Sequence, residues 1–498
     1  MKIQFKVIAI ILCLSFFALP IYANDKAKKI DELLNKYHEY SQLNGSVLVA
    51  ENGKVVYKKG FGFANFEWEI SNQPDTKFRL ASVTKQFTAM LVLQLVEEGK
   101  LKLEGKLFDY LPYYRKDVGE QVTIHQLLNH TSGIPSYTGL PGFMQNEIRN
   151  FYPVEEFVKK FCSGDLEFEP GTKFVYNNSG YFLLGAVIES VTSETYEDLL
   201  SEKIFEPLNM LNSGYDRHQP IIKNRAAGYN KTLVAFQNAP FLEMMTPFAA
   251  GSLYSTVEDL YLWDQALYTD KLISKETKEK MFTPYLGKYG YGWVIDSFPM
   301  EGKERGATLI SHNGGIHGFN TRIARFVDDQ HLIVILRNSP GASINQITRN
   351  IAAILYDQPV EPLKKPGAEA VAKKMLDADI QSGLELYKDI KENRSDEYNL
   401  SEGSFNRVGY QLINLKKLPE AIEMFKINVA ANPQSANTYD SLAEAYMVND
   451  ETALALKYYN KTLEMIPNDP GLNEQRKEGL KKSAMAKLQE LQKLAQKE

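Results

Sequence analysis

The pattern of apolar and polar positions divides this chain of 498 residues into regions with different rhythms. Met1-Lys2-Ile3-Gln4-Phe5-Lys6 is a basic start, followed by an unbroken apolar run from Val7 to Leu19 that is too short to span a bilayer. Pro20 and the small residue Ala23 come next, and the whole predicts an export signal over residues 1–23. Leu12 before Cys13 argues against a lipoprotein cleavage site, and no later run is long and apolar enough for a membrane span. From Gly45 to Tyr57 two β-prone runs flank Asn52-Gly53, which predicts a hairpin. From Gln86 to Val96 apolar residues recur at helical spacing without Pro or Gly. Strand-like runs return at 307–311, 319–326 and 331–336. Strands at both ends with helices between them predict an α+β domain over residues 24–362, an antiparallel sheet packed against a helical region.

After Lys364-Lys365-Pro366-Gly367 the strand rhythm stops and helical periodicity takes over. Pro433 and Pro467 are 34 residues apart, and the same offset relates Phe405 to Tyr439, Gly409 to Ala443, Leu412 to Tyr446, Ala421 to Ala455 and Phe425 to Tyr459. This period and these residue types resemble tetratricopeptide repeats, in which small residues let two antiparallel helices approach closely. The resemblance implies a helical linker at 363–400, two repeats at 401–470 and a capping helix at 471–498. Such repeats bind peptide segments or other proteins in a groove, so one expectation is a protein partner through them; the other is that they pack against the first domain or aid dimerisation.

Charge changes the picture only a little. Cleavage of the signal removes Lys2 and Lys6 from 57 basic side chains, leaving 55 against 62 acidic ones. A mild acidic excess with no dense basic run gives nucleic-acid binding no support. Cys162 would remain as the single cysteine, so no disulfide within the exported chain is available.

Candidate chemistry begins at Ser82-Val83-Thr84-Lys85, where no other serine has a lysine three positions on. On a helix, positions i and i+3 share a face, so hydroxyl and amine meet. A serine hydroxyl needs a neighbouring base, and an amine in a desolvated pocket can serve near neutral pH. Tyr176-Asn177-Asn178 lies in a stretch rich in turn residues, Pro170 to Tyr181, leading into an apolar helix from Phe182. Ser311-His312-Asn313-Gly314-Gly315-Ile316-His317-Gly318-Phe319 reads as a glycine-rich turn between two strands. Its bare N–H groups could approach a ligand closely. No carboxylate or second histidine stands at ligand spacing near His312 or His317, so a metal is not expected.

Ser82-x-x-Lys85, Tyr176-x-Asn178 and His312-x-Gly314, in this order, resemble the serine β-lactamase and penicillin-binding-protein superfamily, most closely its class C-like serine hydrolases. Phe78-Arg79-Leu80-Ala81, Leu127 to Pro135 and Gly251 to Leu260 add to the likeness. The resemblance implies that Ser82 is acylated and that Lys85 and Tyr176 share the proton traffic. It also implies that Asn178, His312 and Gly314 contact substrate and that the N–H groups of Ser82 and Gly315 form the oxyanion hole. No cofactor is implied. Many relatives carry a lysine where this chain has His312, and a mostly neutral histidine is a poor match for a substrate carboxylate. Weak or absent β-lactamase activity is therefore expected, with a small-molecule or peptide amide or ester as substrate. The alternative is a catalytically idle fold of this type, used for recognition, with the repeats making the contact.

Overall fold

The computed structural model describes residues 19–495. The predicted export signal lies outside the described residues as far as residue 18, and Leu19 onward forms helix α1 (Leu19–Glu39). The chain makes two compact units, the first ending at Asn230 and resuming over Gln237–Glu361, the second formed by Lys231–Phe236 and the chain from Pro362.

The first unit is built on one six-stranded antiparallel sheet. Its strands are β1 (Gly45–Glu51), β2 (Lys54–Phe61), β3 (Val294–Met300), β4 (Lys303–Ile316), β5 (Phe319–Phe326) and β6 (His331–Arg337), in the order β3-β4-β5-β6-β1-β2. β1 and β2 are joined by Asn52 and Gly53, both at positive φ (50° and 73°), as a two-residue hairpin of right-handed twist requires. Every residue of β6 is buried, which is why Leu332 to Leu336 reads as a continuous apolar run rather than an alternating one. α1 and the helix Ile344–Leu355 pack on this sheet, as does Val257–Ala266.

The glycine-rich segment departs from the expectation. Asn313, Gly314 and Gly315 are not a turn but the end of the 14-residue strand β4, and the chain reverses at His317-Gly318. Gly314 pairs with Thr321, and a Cβ on it would lie 2.1 Å from the carbonyl oxygen of Leu80. The glycine is there because a second backbone crosses the strand, not because the strand ends.

Two helices carry the candidate residues: α2 (Thr84–Glu97) and α3 (Asn178–Thr192). Both are buried nearly all round, as their predominantly apolar sequences from Phe87 and from Tyr181 demand. α3 starts four residues before the expected Phe182, because the Asn177 side chain accepts a hydrogen bond from the Gly180 N–H and caps the first turn.

The second unit is helical. The expected helical linker over 363–400 holds two helices, Gly367–Asp377 and Ile380–Asn393, the second begun where the Asp379 carboxylate caps the Ser382 N–H. Four helices follow, Glu402–Asn414, Leu418–Ala431, Ala436–Val448 and Thr452–Met465, and then the long Glu474–Ala495. A Cβ on Gly409 would lie 2.4 Å from the Phe425 ring, so its absence sets how closely the first two of these four approach. Leu233 is 2% exposed within this unit's core, alongside Ala368, Val371 and Phe405. The segment 231–236 is thus a contribution that a continuous domain over 24–362 does not contain.

Candidate active site

Ser82 occupies a single 3₁₀ turn, Ala81–Val83, at the entrance to α2. Three contacts fix the approach to it. The Leu80 N–H donates to Leu253 O at 2.7 Å, the Thr321 hydroxyl donates to Leu80 O at 2.7 Å, and the Arg79 guanidinium donates to buried Asp216 at 2.7 Å. Ala81 is held at φ 51°, a left-handed conformation that alanine adopts only at a cost in energy. The strain falls on the residue immediately before the serine, where tight surroundings over-determine the backbone.

One turn into the helix, the Lys85 amine is 0% exposed. It contacts Ser82 Oγ at 3.3 Å, Asn178 Oδ1 at 2.9 Å and the carbonyl oxygen of Ala250 at 2.9 Å. None of these partners is charged, and burial drives the amine pKa well below its ordinary 10.5. When the amine is neutral, its partners assign its hydrogens. Asn178 Oδ1 and Ala250 O can only accept, so each takes one of the two N–H bonds. The remaining lone pair faces the Ser82 hydroxyl. Asn178 is itself oriented by a 3.1 Å donation from Nδ2 to Thr138 Oγ1.

Tyr176 completes the group. Its hydroxyl is beside the Ser82 side chain, and burial raises the phenol pKa, so the group is protonated at neutral pH. Part of the ring, 38% of the residue's surface, stays open to solvent. The Lys85 amine lies 4.9 Å from the Tyr176 ring centroid. Ser82, Lys85, Tyr176 and Asn178, read from two separate stretches of sequence, therefore meet in one place.

Ser82, Asn178 and Gly315 line a cavity of about 760 Å³. Apolar side chains dominate one part of its lining, among them Phe143, Met144, Ile148, Leu242 and Ile316. A carboxamide and guanidinium group dominates another, where Arg337 donates to Asn320. Gly314 does not line the cavity. It packs behind Leu80 and Ala81.

His312 is not among the lining residues either. Its Nδ1 donates to the Asn313 carbonyl at 2.7 Å, which leaves Nε2 to accept from the Tyr289 hydroxyl at 2.9 Å. Burial pushes its pKa down to about 3, so it is a neutral, enclosed ring rather than a cation offered to substrate. His317 does line the cavity, with Nδ1 3.1 Å from the Pro240 carbonyl. Neither histidine contacts Ser82 in place of Lys85. Two functional groups escape motif reading, the Thr138 hydroxyl that orients Asn178 and the Ala250 carbonyl that holds Lys85. Among the described residues no cluster of side chains is suited to a metal ion, and no helix is long and apolar enough to cross a membrane.

Comparison with known proteins agrees with this geometry. The Beta-lactamase family profile matches residues 28–356, and the chain belongs to that family. Among its relatives is a penicillin-binding protein of Bacillus subtilis (strain 168), 32% identical over 381 residues, covering 72% of this chain and 82% of that one. Another is the teichoic acid D-alanine hydrolase of Staphylococcus aureus, 30% identical over 323 residues, covering 64% of this chain and 74% of that one. The octameric penicillin-binding protein homologue from Pyrococcus abyssi superposes with a TM-score of 0.57 at 31% identity, covering 70% of this chain and 81% of that one. The protein is a serine hydrolase of this family.

Proposed function

We propose that this chain is an exported enzyme that cleaves amide or ester bonds through a covalent acyl-enzyme on Ser82. One observation carries the reading: a fully buried Lys85 amine with only uncharged partners, its pKa driven well below the ordinary value, held by the obligate acceptors Asn178 Oδ1 and Ala250 O and facing the Ser82 hydroxyl. Oγ attacks the substrate carbonyl carbon as its proton passes to the Lys85 amine. The N–H groups of Ser82 and Gly315 take up the oxyanion. Tyr176, held protonated, delivers its proton to the leaving nitrogen or oxygen as that bond breaks, and regains one from the lysine ammonium. Water then enters and gives a proton to the same pair as its oxygen attacks the acyl carbon, and the pair returns that proton to Ser82 Oγ as the ester bond breaks and the acid leaves. Asn178 holds Lys85 from one side and meets the substrate amide from the other.

The enclosed, neutral His312 supports low β-lactam turnover, because no fixed cation stands at that position to meet a carboxylate. D-amino-acyl esters and amides are the first substrates to try, since a relative bears the name teichoic acid D-alanine hydrolase. Export rests on the pattern of residues 1–23. The four helices from Glu402 to Met465 are read as two tetratricopeptide repeats, supported by their common period and by the close approach at Gly409.

The test is labelling with a fluorophosphonate and with a fluorescent penicillin, followed by mass spectrometry of the acyl-enzyme formed from a panel of D-amino-acid peptides and short-chain esters. Fluorophosphonate labelling that vanishes in Ser82→Ala is expected. Silence with both probes and the whole panel sinks the proposal.

A further inference from the structure

His130 has no place in the chemistry above, yet it is bound to the chain on both sides of Tyr176. Its main-chain carbonyl accepts the Val175 N–H at 3.0 Å, and its ring Nδ1 accepts the Asn177 N–H at 3.1 Å. An amide N–H can only donate, so Nδ1 carries no proton and the hydrogen of the neutral imidazole sits on Nε2. That Nε2 is buried and has no polar partner among the described residues. The ring centroids of Tyr176, Tyr289 and Tyr181 lie 4.4, 4.5 and 5.1 Å from that of His130, so aromatic side chains enclose it and an N–H against a π face is the contact available. The residue is 1% exposed and held at φ 62°, a conformation in which a side chain other than glycine is strained. Burial keeps the imidazole neutral, which preserves the acceptor at Nδ1.

We propose that His130 is a positioning residue for Tyr176. By gripping the amides before and after the tyrosine, and by packing on its ring, it fixes where the phenol hydroxyl meets Ser82. The side chain of a loop residue swings with the backbone torsions around it, and pinning the N–H groups of Val175 and Asn177 limits those that lie between them. A second proton on the ring would set N–H against N–H at Asn177 and release one of the two grips. This inference rests on the role given to Tyr176 under the proposed function, so the test separates the two.

The experiment compares wild type with His130→Asn, His130→Leu and Tyr176→Phe, measuring kcat and KM on a chromogenic short-chain ester and the urea midpoint by tryptophan fluorescence. Asparagine puts a carboxamide oxygen at the position of Nδ1 and tolerates positive φ, whereas leucine matches its shape without an acceptor. Leucine is expected to lower kcat about 100-fold with KM held, the size of effect that follows a misplaced catalytic group. Asparagine, although it loses the ring and some stability, is expected to keep kcat within about tenfold of wild type. A His130→Asn enzyme that falls further than this overturns the proposal, whether or not the leucine variant folds. So does a folded leucine variant with wild-type kcat. Wild-type kcat in Tyr176→Phe refutes the role of the tyrosine itself, and with it the clamp.

Discussion

Replacing Lys85 by methionine separates the two consequences of burying an amine. The lysine is 0% exposed, its three hydrogen-bond partners are uncharged, and burial drives its pKa well below 10.5. In the unfolded chain the same amine keeps its proton until the pH approaches 10.5. With a neutral amine in the folded state, the unfolded state binds one proton more throughout the range from neutrality to that value. Stability therefore rises with pH, by about 1.36 kcal/mol per unit from this group alone. Between pH 7 and pH 9 the wild type should gain about 2.7 kcal/mol relative to Lys85→Met, in which that contribution is missing. The hydrogen bonds lost at Asn178 and Ala250 weigh equally at both pH values and cancel in the difference. All three tryptophans, Trp68, Trp263 and Trp293, lie in the first compact unit, so their fluorescence in urea reports that unit's unfolding within the intact chain. Activity gives the second readout: loss of the base should cost about 10²- to 10⁴-fold in kcat. Stability curves that run parallel from pH 7 to pH 9 mean a charged lysine in the fold, and refute the lone-pair argument. Wild-type kcat in the variant refutes the base itself.

Asn178→Asp changes one atom's chemistry and little of the shape, but places a carboxylate 2.9 Å from the Lys85 amine. It should hold the amine as ammonium and lower kcat at pH 7 by about 100-fold or more, with partial recovery as the pH is raised. Gly314→Ala and Gly315→Ala should diverge in urea titrations. The first forces a Cβ to 2.1 Å from Leu80 O and 2.3 Å from Thr321 Oγ1, costing about 1–3 kcal/mol and disturbing the approach to Ser82, while the second meets nothing within 4 Å and should unfold like wild type. Leu233→Ala should cost the helical unit about 2–5 kcal/mol, read by far-UV circular dichroism because that unit has no tryptophan. A loss confined to the tryptophan signal would contradict the membership of residues 231–236 in that unit.

The parts of the site legible in the sequence are those whose geometry is set by local periodicity. Ser82, in the 3₁₀ turn that opens α2, and Lys85, in the first turn of α2, are three residues apart, so their meeting follows from local helical geometry. Tyr176 and Asn178 carry no such guarantee. Their pairing with Ser82 depended on the order of three motifs, and only the fold supplies the hydrogen bonds that link them. The expected turn lies at His317-Gly318, and Gly314 belongs to the strand before it for a physical reason. Glycine marks a turn when the chain needs positive φ, but it equally marks a close crossing of two backbones. A single sequence does not separate these uses, and here Leu80 O is the crossing strand's contact. His312 shows the same limit from the other side. Its position in the motif suggested a group facing substrate, whereas hydrogen bonds to Tyr289 and to its neighbour's carbonyl turn it inward.

What stayed invisible shares one property: it acts through main-chain atoms or across distant segments. The Ala250 carbonyl that fixes Lys85 would be supplied equally by any residue type, so no side-chain pattern can announce it. His130 acts through one carbonyl and one ring nitrogen on the amides flanking Tyr176, 47 residues away from Asn177. In the sequence its neighbourhood, His130 to Gly133, reads only as a loop near the site. This is where physical accounting of hydrogen bonds adds to motif reading. Each buried amide must find an acceptor. Following the amides of Val175 and Asn177 leads to one residue that the chemistry alone would never have selected. Catalytic side chains are visible because they are chemically rare, whereas the atoms that aim them are common, and only the fold distinguishes those that aim from those that merely pair.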